Sequence, residues 1–156
     1  MSVQPIPSGY HTITAQLAIE GAAKALAFYE KAFGAVVIDR AVDPSGEKIW
    51  HSAVKIGDSM IMINDVFPEM DPTAQQSVTN LWLYVDDVDA WFKRAVEAGA
   101  RASMPPADMF WGDRMAHVVD PFGQKWAIAT HIKDMTPEEM KKAEDDFKAA
   151  MANKGH

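Results

Sequence analysis

The same order of predicted elements occurs twice in this chain, and this repeat limits the folds that the chain can adopt. In the first half, a strand, a helix over residues 21–33 and three further strands extend to residue 65. In the second half, a strand from residue 79, a helix over residues 88–98 and three further strands extend to residue 131. Each half leaves one face of its sheet uncovered, so a second copy is needed to close the core. The repeat therefore predicts an α+β fold of two tandem βαβββ modules.

Glycines at matching places in the two halves support the repeat. Gly34 and Gly99 each follow the last apolar residue of a predicted helix, where a residue with positive φ commonly ends the helix. The turn Asp120-Pro-Phe-Gly123 joins two segments that are rich in strand-forming residues. These two segments, Arg114–Val119 and Lys125–His131, are predicted to form the last hairpin.

One domain is expected over residues 1–156, because this length fits a single core. Its parts are module 1 at about 10–65, a polar linker at 66–78, module 2 at about 79–131 and a C-terminal helix at about 136–152.

Two strands of these modules are placed by weaker patterns. The first strand is predicted over His11–Ile19, where apolar and polar residues alternate. The second is a short strand at Ala100–Ser103, followed by a loop at Met104–Met109 that contains two prolines.

Charge and composition exclude several classes of function. The chain has 22 acidic and 15 basic residues, a net charge of -7, and no basic stripe, so a nucleic-acid partner is not expected. Cysteine is absent, which excludes disulfides and thiolate metal sites. The N-terminus lacks the pattern of a secretory signal and no apolar run could cross a bilayer, so a cytoplasmic protein without membrane contact is expected.

Three short segments, together with the repeat, resemble a known superfamily. They are Ala27-Phe-Tyr-Glu-Lys-Ala-Phe-Gly-Ala35 at the end of the first helix, Lys55-Ile-Gly-Asp-Ser59 between strands, and the turn Asp120-Pro-Phe-Gly123. This combination resembles the vicinal oxygen chelate superfamily, and within it the glyoxalase/bleomycin-resistance group found beside phosphonate-metabolism proteins in bacteria. The resemblance covers about residues 11–131. It implies an incomplete curved β-barrel whose concave face, or cup, holds a small molecule, and a homodimer with sites within or between subunits.

The resemblance also implies the positions of a metal site, and the residues of this chain at those positions can be compared with the ligands that a divalent ion requires. In metal-dependent members, four inward positions carry His, Glu or Gln around a divalent ion. These positions correspond here to Thr14, Met62, Asn80 and Ala127. Methionine suits soft ions, alanine has no donor, and neutral Thr and Asn are weak ligands. No metal cofactor is therefore predicted; a relocated divalent metal would have to recruit other side chains, from among His51, Asp65, His117 or His131.

Several other residues are candidates for the lining of the cup. Hairpin pairing about Gly57 places His51 on the face that carries Met62, so His51 is either a candidate general base or a hydrogen-bonded core histidine. Asn80, Trp82 and Tyr84 alternate along one strand and would line the cup, although both aromatic residues could equally be core.

The segment that precedes the last hairpin supplies two further candidates. Trp111 is a candidate flap over the cup, or part of a dimer interface. Arg114 is a candidate anion contact because its planar guanidinium can hold a carboxylate or phosphate, although a structural pair with Asp113 is as reasonable. Arg114 and His117 lie on opposite faces of a regular strand, so only one of them can face the cup.

Two hypotheses about function follow. The first is a small-molecule binder that holds an amphipathic or aromatic ligand in the cup without the usual metal centre. The second is a lyase, isomerase or dioxygenase that uses a relocated divalent metal, or His51 as general base.

Overall fold

A computed structural model describes residues 3–154 of the chain. Module 1 comprises β1 (Gln16–Ala18), α1 (Ala22–Phe33), β2 (Val36–Val42), β3 (Ile49–Ile56) and β4 (Ser59–Asn64). Module 2 comprises β5 (Asn80–Tyr84), α2 (Val88–Ala98), β6 (Arg101–Asp108), β7 (Asp113–Val119) and β8 (Lys125–His131). A third helix, α3, spans Pro137–Lys154.

Each module forms its own four-stranded sheet. The strand order is β1-β4-β3-β2 in sheet 1 and β5-β8-β7-β6 in sheet 2. In each sheet the first strand of the module pairs in parallel with the last, and the other neighbours are antiparallel. The predicted α+β fold of two βαβββ modules is confirmed. Within the described part of the chain the two sheets remain separate, so no closed barrel forms.

The two modules share one apolar interior. Helices α1 and α2 pack against each other, and each also packs on a sheet. The main core cluster takes Leu26 and Phe33 from α1, Ile63 from sheet 1, and Trp126 and Ile128 from sheet 2. Each sheet therefore turns one face toward the helices and the shared interior. The opposite face of each sheet, called here its outer face, is turned away from that interior.

Two buried carboxylates connect elements across the fold. Asp65 accepts hydrogen bonds from the backbone N–H groups of Gly21, Ala22 and Ile49, and thus caps the start of α1, where Gly21 has no side chain to do so. Asp120 accepts a hydrogen bond from the Tyr29 hydroxyl. Since Tyr29 belongs to α1 and Asp120 to the turn before β8, this bond links the two modules.

Two strands differ in length from those predicted. Strand β1 is only three residues long, shorter than the predicted His11–Ile19. Strand β6 continues through Pro105 and Pro106 to Asp108, where a loop was expected. It is an edge strand with register shifts between Ala102 and Ala107, and an edge strand can hold proline because one side of its backbone has no strand to bond.

Helix α3 extends beyond both modules and has no buried residue. Its Phe147 ring lies 4.9 Å from the Phe110 ring, and Lys133 pairs with Glu139 near its start. Among residues 3–154, no helix combines the length and the apolar character that a membrane crossing requires.

Candidate ligand site

Three aromatic side chains gather on the outer face of sheet 2. The Trp82 ring centroid lies 5.9 Å from that of Tyr84 and 6.5 Å from that of Trp111. Trp82 and Tyr84 project from β5, and they are 44% and 65% exposed. Trp111 belongs to the loop before β7 and packs on a small apolar cluster beside Met115, Ala127 and Ala129. We call Trp82, Tyr84 and Trp111 the aromatic platform.

The side chain of Asp113 holds this platform in place. Its Oδ2 atom accepts hydrogen bonds from the Tyr84 hydroxyl and from Trp111 Nε1, both at 2.9 Å. Its Oδ1 atom lies 2.9 Å from His131 Nδ1, and His131 Nε2 lies 2.8 Å from Asp134 Oδ1. Asp113 is only 2% exposed, so the carboxylate is enclosed by the groups that it bonds.

These contacts shift the ionisation of the groups that make them. Burial acts to raise the pKa of the Asp113 carboxyl, but the hydrogen bonds from His131, Tyr84 and Trp111 outweigh burial and hold this pKa below its ordinary value. Hydrogen bonds to Asp113 and Asp134 raise the pKa of the His131 imidazole. The hydrogen bond to Asp113 raises the pKa of the Tyr84 phenol. The network therefore favours an imidazolium between two carboxylates, beside a neutral phenol.

The raised pKa of His131 predicts a pH-dependent contribution to stability. Because His131 binds its proton more tightly in the folded chain, this contribution is fully present below the ordinary imidazole pKa of about 6.5 and disappears as the pH rises through the raised value. We expect His131→Gln to lower the Tm more at about pH 5.5 than at about pH 9. Thermal melts at both pH values would show this, with His11→Gln, at an exposed histidine, as the control. An equal loss of Tm at both pH values would contradict the prediction.

The structure places Arg114 away from the aromatic platform. Arg114 lies on the helix-facing side of β7, where its guanidinium binds Asp89 of α2 and Asp108 of β6 at 2.8 and 3.0 Å. These ion pairs raise the pKa of Arg114. The residue thus ties β7 to α2 and β6 rather than pointing toward a ligand on the outer face. His117 pairs with Ala127 across the hairpin and takes the outer face instead.

The other candidate residues occupy two different surfaces. Met62 pairs with Ala53 on the outer face of sheet 1, and His51 lies on the same strand with Nε2 3.8 Å from Asp39 Oδ1. Asn80 is exposed at the start of β5, on the same face as Trp82. The outer faces of both sheets point away from the shared interior, so one chain does not bring Met62 and His51 opposite the aromatic platform.

The residues at the metal positions that the resemblance implies do not fit a divalent ion. Thr14 lies before β1, and its hydroxyl donates to the His11 carbonyl. Met62 offers only a thioether, Asn80 a neutral amide and Ala127 no donor. Among residues 3–154, no group of three or more His, Asp or Glu side chains is arranged to hold a metal ion.

A cavity of about 570 Å³ adjoins the platform. It lies between the tip of the β3–β4 hairpin and β5, and Trp82 and Tyr84 border it. Its apolar walls come from β3 and β4 of module 1 and from β5, α2 and β8 of module 2, namely Ile56, Ile61, Leu81, Leu83, Trp91 and Trp126. Such a volume is within the usual range for pockets that hold small molecules.

The contribution of Asp113 was not foreseen from its sequence position, although a signal for it was present. The turn at residues 120–123 pairs Val119 with Lys125, and the same register places Asp113 opposite His131. Counting back from the turn would have put both residues on one face with Met115, and Arg114 on the other face with Thr130.

Comparison with known proteins agrees with this fold. A sequence model of the Glyoxalase/Bleomycin resistance protein/Dioxygenase superfamily matches residues 11–128. The chain is 35% identical over 150 residues to the uncharacterized protein Mb0911c of Mycobacterium bovis, covering 92% of this chain and 93% of the relative. Its fold is similar to that of TioX from Micromonospora sp. ML1, with a TM-score of 0.63 and 24% identity over 81% of this chain and all of TioX. A PhnB protein from Bacillus cereus gives a TM-score of 0.62 at 16% identity, covering 77% of this chain and 99% of that protein.

The family match spans both modules and the turn at residues 120–123, which carried the resemblance in the sequence. The matched range includes the four metal positions, whose residues differ from a ligand set. By sequence match and by fold, the chain belongs to the glyoxalase/bleomycin resistance protein/dioxygenase superfamily.

Proposed function

We propose that this protein binds a small amphipathic or aromatic molecule against Trp82, Tyr84 and Trp111. One observation carries the proposal: Trp82, Tyr84 and Trp111 cluster on one face, a buried carboxylate fixes Tyr84 and Trp111, and Trp82 and Tyr84 border a cavity of about 570 Å³. Exposed aromatic rings offer large apolar surfaces to a ligand, and burying them is favourable. No metal is required for binding of this kind.

The hydrogen bonds to Asp113 support this proposal through preorganisation. A flexible side chain loses conformational freedom when a ligand orders it, and this loss weakens binding by about 0.5–1.5 kcal/mol for each side chain. Tyr84 and Trp111 are already oriented by their bonds to Asp113 Oδ2. Trp82 lies between them and has its ring partly exposed, so a ligand that stacks on it meets a surface of defined shape.

A second copy of the chain is proposed to complete the cup. The outer face of sheet 1, with Met62 and His51, points away from the platform of the same chain, so only another chain can bring the two faces together. Strand β5 supports this idea because it lies at the edge of sheet 2. The Thr79 carbonyl and the Val85 N–H group bond β8, so the backbone N–H and C=O of Trp82, which point the opposite way, face the free edge and are available to another chain. Sedimentation equilibrium that gives the mass of one 17.2 kDa chain would rule out the dimer.

Binding of N-phenyl-1-naphthylamine, a neutral fluorescent probe, tests the proposed function. We expect saturable binding, and Trp82→Ala should weaken it by about tenfold, as is common for a central aromatic contact. Ile38→Ala is the control, because Ile38 is 55% exposed on β2 of sheet 1 and does not line the cavity. Fluorescence that does not saturate, or equal affinities for the two variants, would contradict the proposal.

A reaction at the same site is the second candidate function. The observation that favours it is the pairing of Asp113 with His131 Nδ1, since a carboxylate that orients an imidazole is a common arrangement for proton transfer. His131 Nε2 is bonded to Asp134, which would have to move before the imidazole could reach a substrate. Turnover that is lost in His131→Gln, with probe binding retained, would favour this candidate over simple binding.

A further inference from the structure

The cavity beside the platform has a marked imbalance of charge at its mouth. Asp58, at the tip of the β3–β4 hairpin, and Asp86, just after β5, both line it. Both residues are exposed, and neither forms an ion pair with another residue in the described range. Lys, Arg and His are absent from its lining within residues 3–154. The mouth is therefore negative, while the walls are apolar and aromatic.

The apolar walls are open to a ligand because β5 is an edge strand and has no neighbouring strand on one side. The side chains of Leu81 and Leu83 project from β5 toward the shared interior, and Ile56 and Ile61 of the β3–β4 hairpin lie across from them. No strand fills the space between this hairpin and β5 within the described residues. Trp91 of α2 and Trp126 of β8 close the inner end. A ligand that enters must be apolar along its length to replace the contacts that this space lacks.

We propose that the ligand of this site is a cationic amphiphile, meaning an apolar or aromatic body that carries one amine or quaternary ammonium group. This proposal rests on the proposed function, since it assigns the chemical class of the molecule bound beside the platform. The apolar body lies between Leu83 and Ile61, and the cation remains at the mouth. There it meets the carboxylates of Asp58 and Asp86 and lies beside Trp82 and Tyr84, which also line the cavity and whose rings can attract a cation through their quadrupole.

The two carboxylates should give selectivity rather than most of the affinity. Each exposed ion pair contributes little in water, so two of them should favour a cation over a neutral molecule of the same shape by about fivefold. An anion should be disfavoured, because no lining residue offers a positive charge and the chain carries a net charge of -7. The preference should fall as salt screens the charges.

Three probes with the same alkyl chain test this class. They are decyltrimethylammonium, decyldimethylamine oxide and decyl sulfate, which carry a positive, a neutral and a negative head group, used below the concentrations at which they form micelles. Titration calorimetry on the full chain should give the tightest binding for the ammonium, by about fivefold over the amine oxide. This ratio should approach one in about 0.5 M sodium chloride.

Paired charge variants separate the mouth from the general charge of the protein. In Asp58→Asn/Asp86→Asn, the ratio between ammonium and amine oxide should fall close to one. The control, Glu47→Gln/Glu138→Gln, removes two exposed carboxylates that do not line the cavity and should keep the ratio. A ratio of one in the unmodified protein, or the same fall in both double variants, would overturn the cationic class.

A variant that blocks the mouth distinguishes this proposal from the proposed function. Ser59 is exposed and borders the cavity, so Ser59→Trp should abolish binding of all three probes without changing the core. If the probes bind with no charge preference and Ser59→Trp removes their binding, the binding function stands and the cationic class fails. If none of the probes nor N-phenyl-1-naphthylamine binds, both proposals fail.

Discussion

Replacing Asp120 with alanine is expected to lower the free energy of unfolding by about 4 kcal/mol, because several buried donors lose their acceptor at once. Oδ1 of Asp120 accepts from the backbone N–H groups of Phe122 and Gln124 at 2.8 and 3.0 Å. Oδ2 accepts from the Tyr29 hydroxyl and from Trp126 Nε1. Asp120 itself is 4% exposed, so water cannot readily replace the lost bonds. Urea denaturation followed by circular dichroism would measure the loss.

The variant Tyr29→Phe shows how much of this loss of stability comes from the Tyr29–Asp120 hydrogen bond, which links the two modules. Tyr29→Phe removes one of the four donors and leaves the carboxylate with three, so the expected loss is only about 1 kcal/mol. If Asp120→Ala cost no more than Tyr29→Phe, the carboxylate would not be the centre of the network.

Replacing Gly112 with alanine is expected to cost about 3 kcal/mol and to weaken binding of N-phenyl-1-naphthylamine. Gly112 has a φ of +97°, which L-residues rarely adopt, and an added Cβ would overlap the carbonyl oxygen of Lys133. The Lys133 backbone cannot easily move aside to make room for the Cβ, since the N–H groups of Ile132 and Lys133 donate hydrogen bonds to the Gly112 carbonyl. The loop that carries Trp111 must therefore shift, and the platform loses one of its rings.

Gly46→Ala is the control for backbone strain alone. Gly46 also has positive φ, at +76°, but an added Cβ there meets no atom within 4 Å. This variant should cost about 1 kcal/mol, the usual penalty for alanine in a left-handed conformation, and it should leave probe binding unchanged. Equal losses of stability in the two variants would show that the contact with Lys133 is unimportant.

The helices and the hairpins could be predicted because local signals determine them. Apolar spacing together with Gly34 and Gly99 placed both module helices to within a residue of α1 and α2. Strand β6 could not be predicted in the same way. Prolines usually exclude a strand, and only the edge position of β6 in the finished sheet makes Pro105 and Pro106 acceptable.

The candidate site was predictable in part, because side-chain alternation assigns faces but not partners. Trp82 and Tyr84 were placed on one face of β5 from the sequence, and the structure gathers them with Trp111. The sequence did not reveal that Asp89 and Asp108 would bind Arg114, since these residues come from α2 and β6 and meet Arg114 only after the sheet is packed. The presence of Asp58 and Asp86 in the lining of one cavity likewise depends on the packing of the two modules.

The separation between the shared interior and the outer faces of the sheets affects how such a chain can evolve. A substitution in the shared interior weakens both modules together, because the main core cluster draws its residues from both. Substitutions on the outer faces and at the cavity mouth leave that interior intact, so ligand preference can drift while folding is preserved. Selection for a new ligand can therefore act on positions such as Trp82 and Asp86 at little cost to abundance in the cell.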